Sequence, residues 1–136
     1  MTKPGKHRIL VVDDELTVCK SIRKVLVRED CEVDMALSSE EALSKEAEQP
    51  YDVMIVDLKM PGLSGMDLLK LLKARNSKAR IIMVTGYPTM RNTLQAMQLG
   101  AMDFLPKPFL PTTLRNLVAA ALEAGDDKPE GSDAAG

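Results

Sequence analysis

Residues 53–65 read VMIVDLKMPGLSG: four apolar residues, an aspartate, and almost at once a Pro-Gly pair. A buried strand gains nothing from a carboxylate at its tip, so Asp57 needs either an exposed location or a chemistry that uses it. The apolar run is continuous rather than alternating. That is the pattern of a strand covered on both faces, as in a parallel sheet between helices.

Working outward from this stretch, comparable short runs occur at 8–12 (RILVV), 32–36 (EVDMA), 52–56 (DVMIV), 80–84 (RIIMV) and 103–105 (DFL). Helical periods separate them. Residues 16–29 place Cys19, Ile22 and Leu26 on one face, with Lys20, Arg23, Lys24 and Arg28 largely opposite. Ser38 followed by Glu41 has the spacing of a capping box and opens a helix running to about Ala47. A third helix over 65–75 turns Leu68, Leu69 and Leu72 inward. A fourth carries Met90, Leu94, Met97 and Ala101 in a stripe expected to be core, and a fifth repeats the pattern with Leu114, Leu117, Val118 and Ala121. Strict alternation of strand and helix predicts an α/β fold, a three-layer doubly wound five-stranded parallel sheet.

Composition bounds the function. The 136 residues suit one domain, and a formal net charge of -2 argues against broad attraction to nucleic acid. No apolar run approaches the ~20 residues that span a bilayer, and the start MTKPGKHR has no signal-peptide core, so a cytoplasmic location is expected. Cys19 and Cys31 lack metal-ligand spacing and read as small buried hydrophobes. The only histidine, His7, lies near the start, which leaves no Ser-His or Cys-His pair and no zinc site unless it takes part. The chemistry therefore rests on carboxylates. Residues 1–6 read as a flexible terminus, 7–124 as the domain, and 125–136, within GDDKPEGSDAAG, as a disordered tail or linker start.

Ligands of an open parallel sheet bind at the carboxyl ends of its strands. Four of the five strand ends carry polar residues: Asp13 and Asp14 after the first, Asp57 at the third, Thr85 at the fourth and Lys107 just past the fifth. Any one of these is ordinary where a strand becomes a loop. Three carboxylates at one edge would repel one another, and one lysine cannot neutralise them, whereas a hard divalent cation such as Mg²⁺ can. Carboxylates, Mg²⁺, a hydroxyl and an ammonium together describe a phosphoryl-transfer site.

The series VVDDE, VDLKMPGLSG, VTGY and DFLPKPF resembles the receiver domain of two-component response regulators, most of all receivers of nitrogen-regulation-type regulators. The resemblance covers about residues 7–122. It implies a flavodoxin-like sheet of strand order 2-1-3-4-5, with Asp57 as the phosphoacceptor and Thr85 and Lys107 on the phosphoryl oxygens. Asp14, Asp57 and the Lys59 main-chain carbonyl would hold Mg²⁺, with Asp13 completing the acidic pocket through water. Thr85 and Phe104 would form the switch, and Lys107-Pro108 would be a cis peptide. Lys59 and Tyr87 occupy positions that tune hydrolysis of the aspartyl phosphate in this family and are expected to alter water access.

The resemblance also implies a phosphorylation-controlled regulator rather than an enzyme. Its phosphoryl donor would be a histidine kinase or phosphotransfer protein, facing the basic residues Lys20, Arg23 and Lys24. The fourth helix, fifth strand and fifth helix would change surface, for homodimerisation or for an output partner, with Arg91, Gln95, Gln98 and Arg115 as exposed candidates. No output domain is expected within these residues, and no direct contact with nucleic acid or membrane. Two rivals fit less well. A haloacid-dehalogenase-type phosphatase wants two aspartates two apart, and Glu15 stands at the second place; a flavodoxin wants a hydroxyl-rich first loop and flavin-stacking aromatics, against DDELT and no tryptophan.

Overall fold

Alternation along each strand sends successive side chains to opposite faces of the sheet, and here both faces are apolar. Ile9, Val11, Val53, Ile55, Ile82 and Val84 join one core cluster, while Leu10, Val12, Met54, Val56, Ile81 and Met83 join the other. A computed structural model describes residues 6–28 and 30–126. The elements alternate as β1 (His7–Val12), α1 (Leu16–Leu26), β2 (Cys31–Ala36), α2 (Ser39–Glu48), β3 (Val53–Asp57), α3 (Gly65–Ala74), β4 (Arg80–Thr85), α4 (Met90–Gln98), β5 (Asp103–Pro106) and α5 (Pro111–Asp126). Among the described residues the sheet has five parallel strands in the order β2-β1-β3-β4-β5.

Two helical layers cover it. Cys19, Ile22 and Leu26 of α1 and Leu114, Val118 and Ala121 of α5 pack on the first face, and Ala42, Leu68, Leu69, Leu72 and Ala96 of α2, α3 and α4 on the second. Full burial of a leucine such as Leu68 contributes about 1.5–3 kcal/mol, so these faces rather than helix propensity hold the layers together. Both cysteines are free and buried, as small hydrophobes should be.

Local signals set the helix ends. Ser38 Oγ accepts from the Glu41 N–H, while the Glu41 carboxylate reaches past the cap to the Leu37 N–H. Ser64 and Asp67 form a complete reciprocal capping box at the start of α3. Both α3 and α4 end in a Schellman arrangement, with Asn76 (φ 58°) and Gly100 (φ 102°) in the positive-φ position.

The structure corrects three expectations. Helix α1 stops at Leu26 rather than near residue 29, because β2 begins at Cys31 and the chain must reverse first; Val27 is extended and the Cys31 N–H donates to the Arg28 carbonyl. Gly125 and Asp126, assigned to the tail, continue α5, and the rest of the expected tail and residues 1–5 lie outside the described residues. The third concerns α4. Met90, Leu94 and Met97 face solvent, 79%, 55% and 44% exposed, and the helix buries Ala96 instead. Periodicity identifies an apolar stripe but not the side on which it docks. Ala101 joins the core from beyond Gly100, after the helix has ended.

Candidate functional site

The carboxyl ends of β1, β3, β4 and β5 meet at one edge of the sheet, and each delivers a polar group there. Parallel pairing of β1 with β3 sets Val12 beside Val56, so the residues that follow, Asp13 and Asp57, emerge together. Asp13 is almost wholly buried at 2% exposure, Asp57 is partly buried and Asp14 is exposed. One carboxylate oxygen from each of the three lies within 4.8 Å of the others.

Their surroundings divide the work. Asp13 is fixed by its backbone, whose N–H donates to the Ala36 carbonyl, and its Oδ1 accepts from the Glu15 N–H at 2.9 Å. Its Oδ2 accepts from Lys107 Nζ at 3.2 Å. The same ammonium lies 3.8 Å from Asp57 Oδ1. Burial first, and the Asp13 charge second, push the Asp57 carboxyl up from the ordinary 3.8 to about 6. Lys107 and the Lys59 main-chain N–H, which donates to this carboxylate, act in the opposite direction without offsetting them. The geometry explains why, since Lys107 stands closer to Asp13 than to Asp57.

Loop construction keeps Asp57 accessible. The Leu58 N–H donates to the Val84 carbonyl, extending the ladder one residue past the strand, and the chain then turns through Pro61 and Gly62, whose φ is 75°. Gly65 brings the start of α3 back against β3, its N–H donating to the Leu58 carbonyl. A Cβ at Gly65 would collide with the Asp57 carbonyl oxygen, so the close return requires glycine. Sequence reasoning missed Gly65; the only signal for it is a glycine directly after a capping serine.

Thr85 follows Val84, the residue paired with Asp57, and is 1% exposed. Its Oγ1 accepts from the Tyr87 N–H at 3.1 Å, and its carbonyl accepts from the Lys107 N–H at 2.7 Å, tying the tip of β4 to the loop that presents the lysine. The Lys107-Pro108 peptide is cis. Phe104 is half-buried and packs against the α2-α3-α4 core; it pairs with Met83, so it shares a sheet face with Thr85, two residues further on. Lys59 Nζ stands 4.9 Å from the centroid of the Tyr87 ring, a contact between two loops that spacing alone did not reveal.

Beneath the cluster the Cys19 thiol lies 3.4 Å from the Asp13 carbonyl and is pushed up to about 11, by burial first and by the Asp13 charge second. It is an inert packing group. A cavity of about 750 Å³ lies at the opposite edge, lined by His7, Tyr51, Asp52, Arg80 and Leu122 among others. It is remote from the carboxylates, at the amino ends of the strands. The acidic cluster is an all-oxygen donor set of three carboxylates facing one ammonium, which is the composition that suits a hard divalent cation.

Comparison with known proteins bears on the same residues. The chain is 33% identical over 126 residues to the response regulator protein PilR of Pseudomonas aeruginosa, covering 93% of this chain and 28% of that protein. It is 34% identical over 122 residues to the transcriptional regulatory protein ResD of Bacillus subtilis, covering 90% of this chain and 50% of that one. The chain therefore spans at most half the length of either curated relative. Its fold matches the crystal structure of a response regulator receiver domain protein from Clostridium thermocellum with a TM-score of 0.81 and 36% identity, over 88% of this chain and 97% of that one. Residues 9–119, which run from the first strand into the last helix and enclose every group at the acidic edge, match the response regulator receiver domain, and the chain belongs to that family.

Proposed function

We propose that Asp57 accepts a phosphoryl group from a phosphohistidine of a partner kinase or phosphotransfer protein, and that the modified receiver changes its α4-β5-α5 surface. One observation carries the reading. Asp13, Asp14, Asp57 and Lys107 converge on a single point of the rim, with Asp57 Oδ1 held between carboxylates and an ammonium.

The chemistry follows from that placement. An Asp57 carboxylate oxygen attacks phosphorus as the P–N bond breaks, and the electron pair returns to the imidazole nitrogen, which takes a proton from solvent. With its carboxyl near 6, Asp57 is mostly ionised at neutral pH and available as the nucleophile. Lys107, tethered by its backbone to Thr85, presents its ammonium to the phosphoryl oxygens. Asp14, Asp57 and the Lys59 carbonyl would hold Mg²⁺, with Asp13 in support. The ion's contribution there would be to offset charge on the carboxylates and phosphoryl oxygens. Thr85, one residue beyond the pairing partner of Asp57, is placed to turn its hydroxyl toward the new group, with Phe104 following on the same face.

The domain promotes only its own phosphorylation and dephosphorylation and acts by contact. Met90, Leu94 and Met97 give the changing surface an apolar stripe for a second copy or an output domain. Among the described residues no helix is long and apolar enough to cross a membrane, and a cytoplasmic location forms part of the same proposal. Intact-mass measurement after incubation with Mg²⁺ and acetyl phosphate tests the reading. Wild type gains one phosphoryl group and Asp57→Asn gains none; equal labelling of both overturns it.

A further inference from the structure

The contact between Lys59 and Tyr87 joins the two loops that flank the mouth of the site. Lys59 lies two residues after Asp57 and is exposed; Tyr87 lies two after Thr85 and is 71% exposed. A ring so open to water draws little from burial, so the ammonium 4.9 Å from its centroid is the attraction that fixes its position. The same residue's N–H donates to Thr85 Oγ1, and this bond engages the buried hydroxyl with its own loop. The bond leaves the hydroxyl hydrogen free to donate but fixes the direction of Oγ1, so whatever holds Tyr87 in place also holds the Thr85 side chain in its present orientation.

We propose that Lys59 and Tyr87 form a latch that keeps the β4-α4 loop and the Thr85 hydroxyl in the resting position. Charge added at Asp57 opens it by drawing the ammonium off the ring. The inference rests on Asp57 being the phosphoacceptor, and it makes Lys59 and Tyr87 positioning residues for Thr85. An aspartyl phosphate carries about -1.5 to -2 in place of -1, and a lysine two residues away meets a stronger attraction than the face of a neutral ring supplies. With Lys59 withdrawn, the 86–89 loop loses its tie to the 58–64 loop and Tyr87 can release Thr85 Oγ1.

The test is a double-mutant cycle read by calorimetric titration with beryllofluoride, a phosphoryl mimic, in the presence of Mg²⁺. Tyr87→Leu removes the ring and binds the mimic about two- to fivefold tighter than wild type, the factor an exposed cation–π contact supplies. In a Lys59→Met background the same change has no effect, and Tyr87→Phe, which keeps the ring, behaves as wild type. A Tyr87→Leu effect of equal size in both backgrounds overturns the latch and leaves the phosphoacceptor reading standing. Failure of wild type to bind beryllofluoride overturns both. A merely structural contact would lower the melting temperature without moving this affinity. In the resting protein, free of metal and fluoride, the residue 87 amide exchanges about two- to fivefold faster in Lys59→Met; unchanged exchange also overturns the proposal.

Discussion

Asp57 is held in a place where its charge is costly. Its folded carboxyl titrates near 6 against an ordinary 3.8, so the stability it contributes is fully present below about pH 3.8 and is lost as pH rises through 6. Asp57→Asn removes that loss. In EDTA at pH 7.5 the variant is expected to be about 1–2 kcal/mol more stable than wild type by urea denaturation, the full shift being discounted for solvent near the rim, and the difference closes by pH 4. A variant no more stable at pH 7.5 would show that the carboxylate is not under strain. The position of Asp57 was legible from VMIVD followed by Pro-Gly, and its crowding from the acidic residues at the neighbouring strand ends; what was not legible is that Lys107 stands nearer Asp13 than Asp57, which follows from how the strands and their loops are placed.

At the scale of the element, α3 and α4 show what apolar periodicity can and cannot decide. Leu68, Leu69 and Leu72 were read as core and are buried; Met90, Leu94 and Met97 have an equally regular spacing and are exposed. The difference lies in a single small residue, Ala96, which lets α4 rest on the sheet while its longer side chains face outward. Leu68→Ala is accordingly expected to cost about 2–5 kcal/mol in urea denaturation, and Leu94→Ser less than about 0.5 kcal/mol. Comparable losses at both sites would put α4 back in the core. Helix ends were legible where a serine cap stands in the sequence, at Ser38, and overlooked at Ser64, where the acidic partner is the shorter aspartate.

Across the whole molecule the fold was readable because the strands alternate with helices and carry apolar residues on both faces, which leaves a parallel sheet with two covers as the consistent solution. The site was readable because polar residues at strand ends gather on one rim in such a sheet. What could not be read was any contact between loops, Lys59 with Tyr87 above all, since loop conformation follows no period. Metal binding at the rim, as proposed, would be coupled to global stability. If Asp57 and its neighbours hold Mg²⁺ as proposed, thermal unfolding in rising Mg²⁺ should gain stability, approaching about 1.4 kcal/mol per decade of concentration once the ion is well above its dissociation constant, and Asp57→Asn should flatten the response. A wild-type curve indifferent to Mg²⁺ would remove the metal from the scheme.

The third strand carries residues for both cores in strict alternation, Val53 and Ile55 for one and Met54 and Val56 for the other, with Asp57 next in line. Losing or gaining one residue there would exchange the two linings and swing the carboxylate toward the opposite helical layer. Such a segment can drift in spelling but not in length. Descendants of this chain should vary in which aliphatic stands at each place while the count from Val53 to Asp57 stays constant.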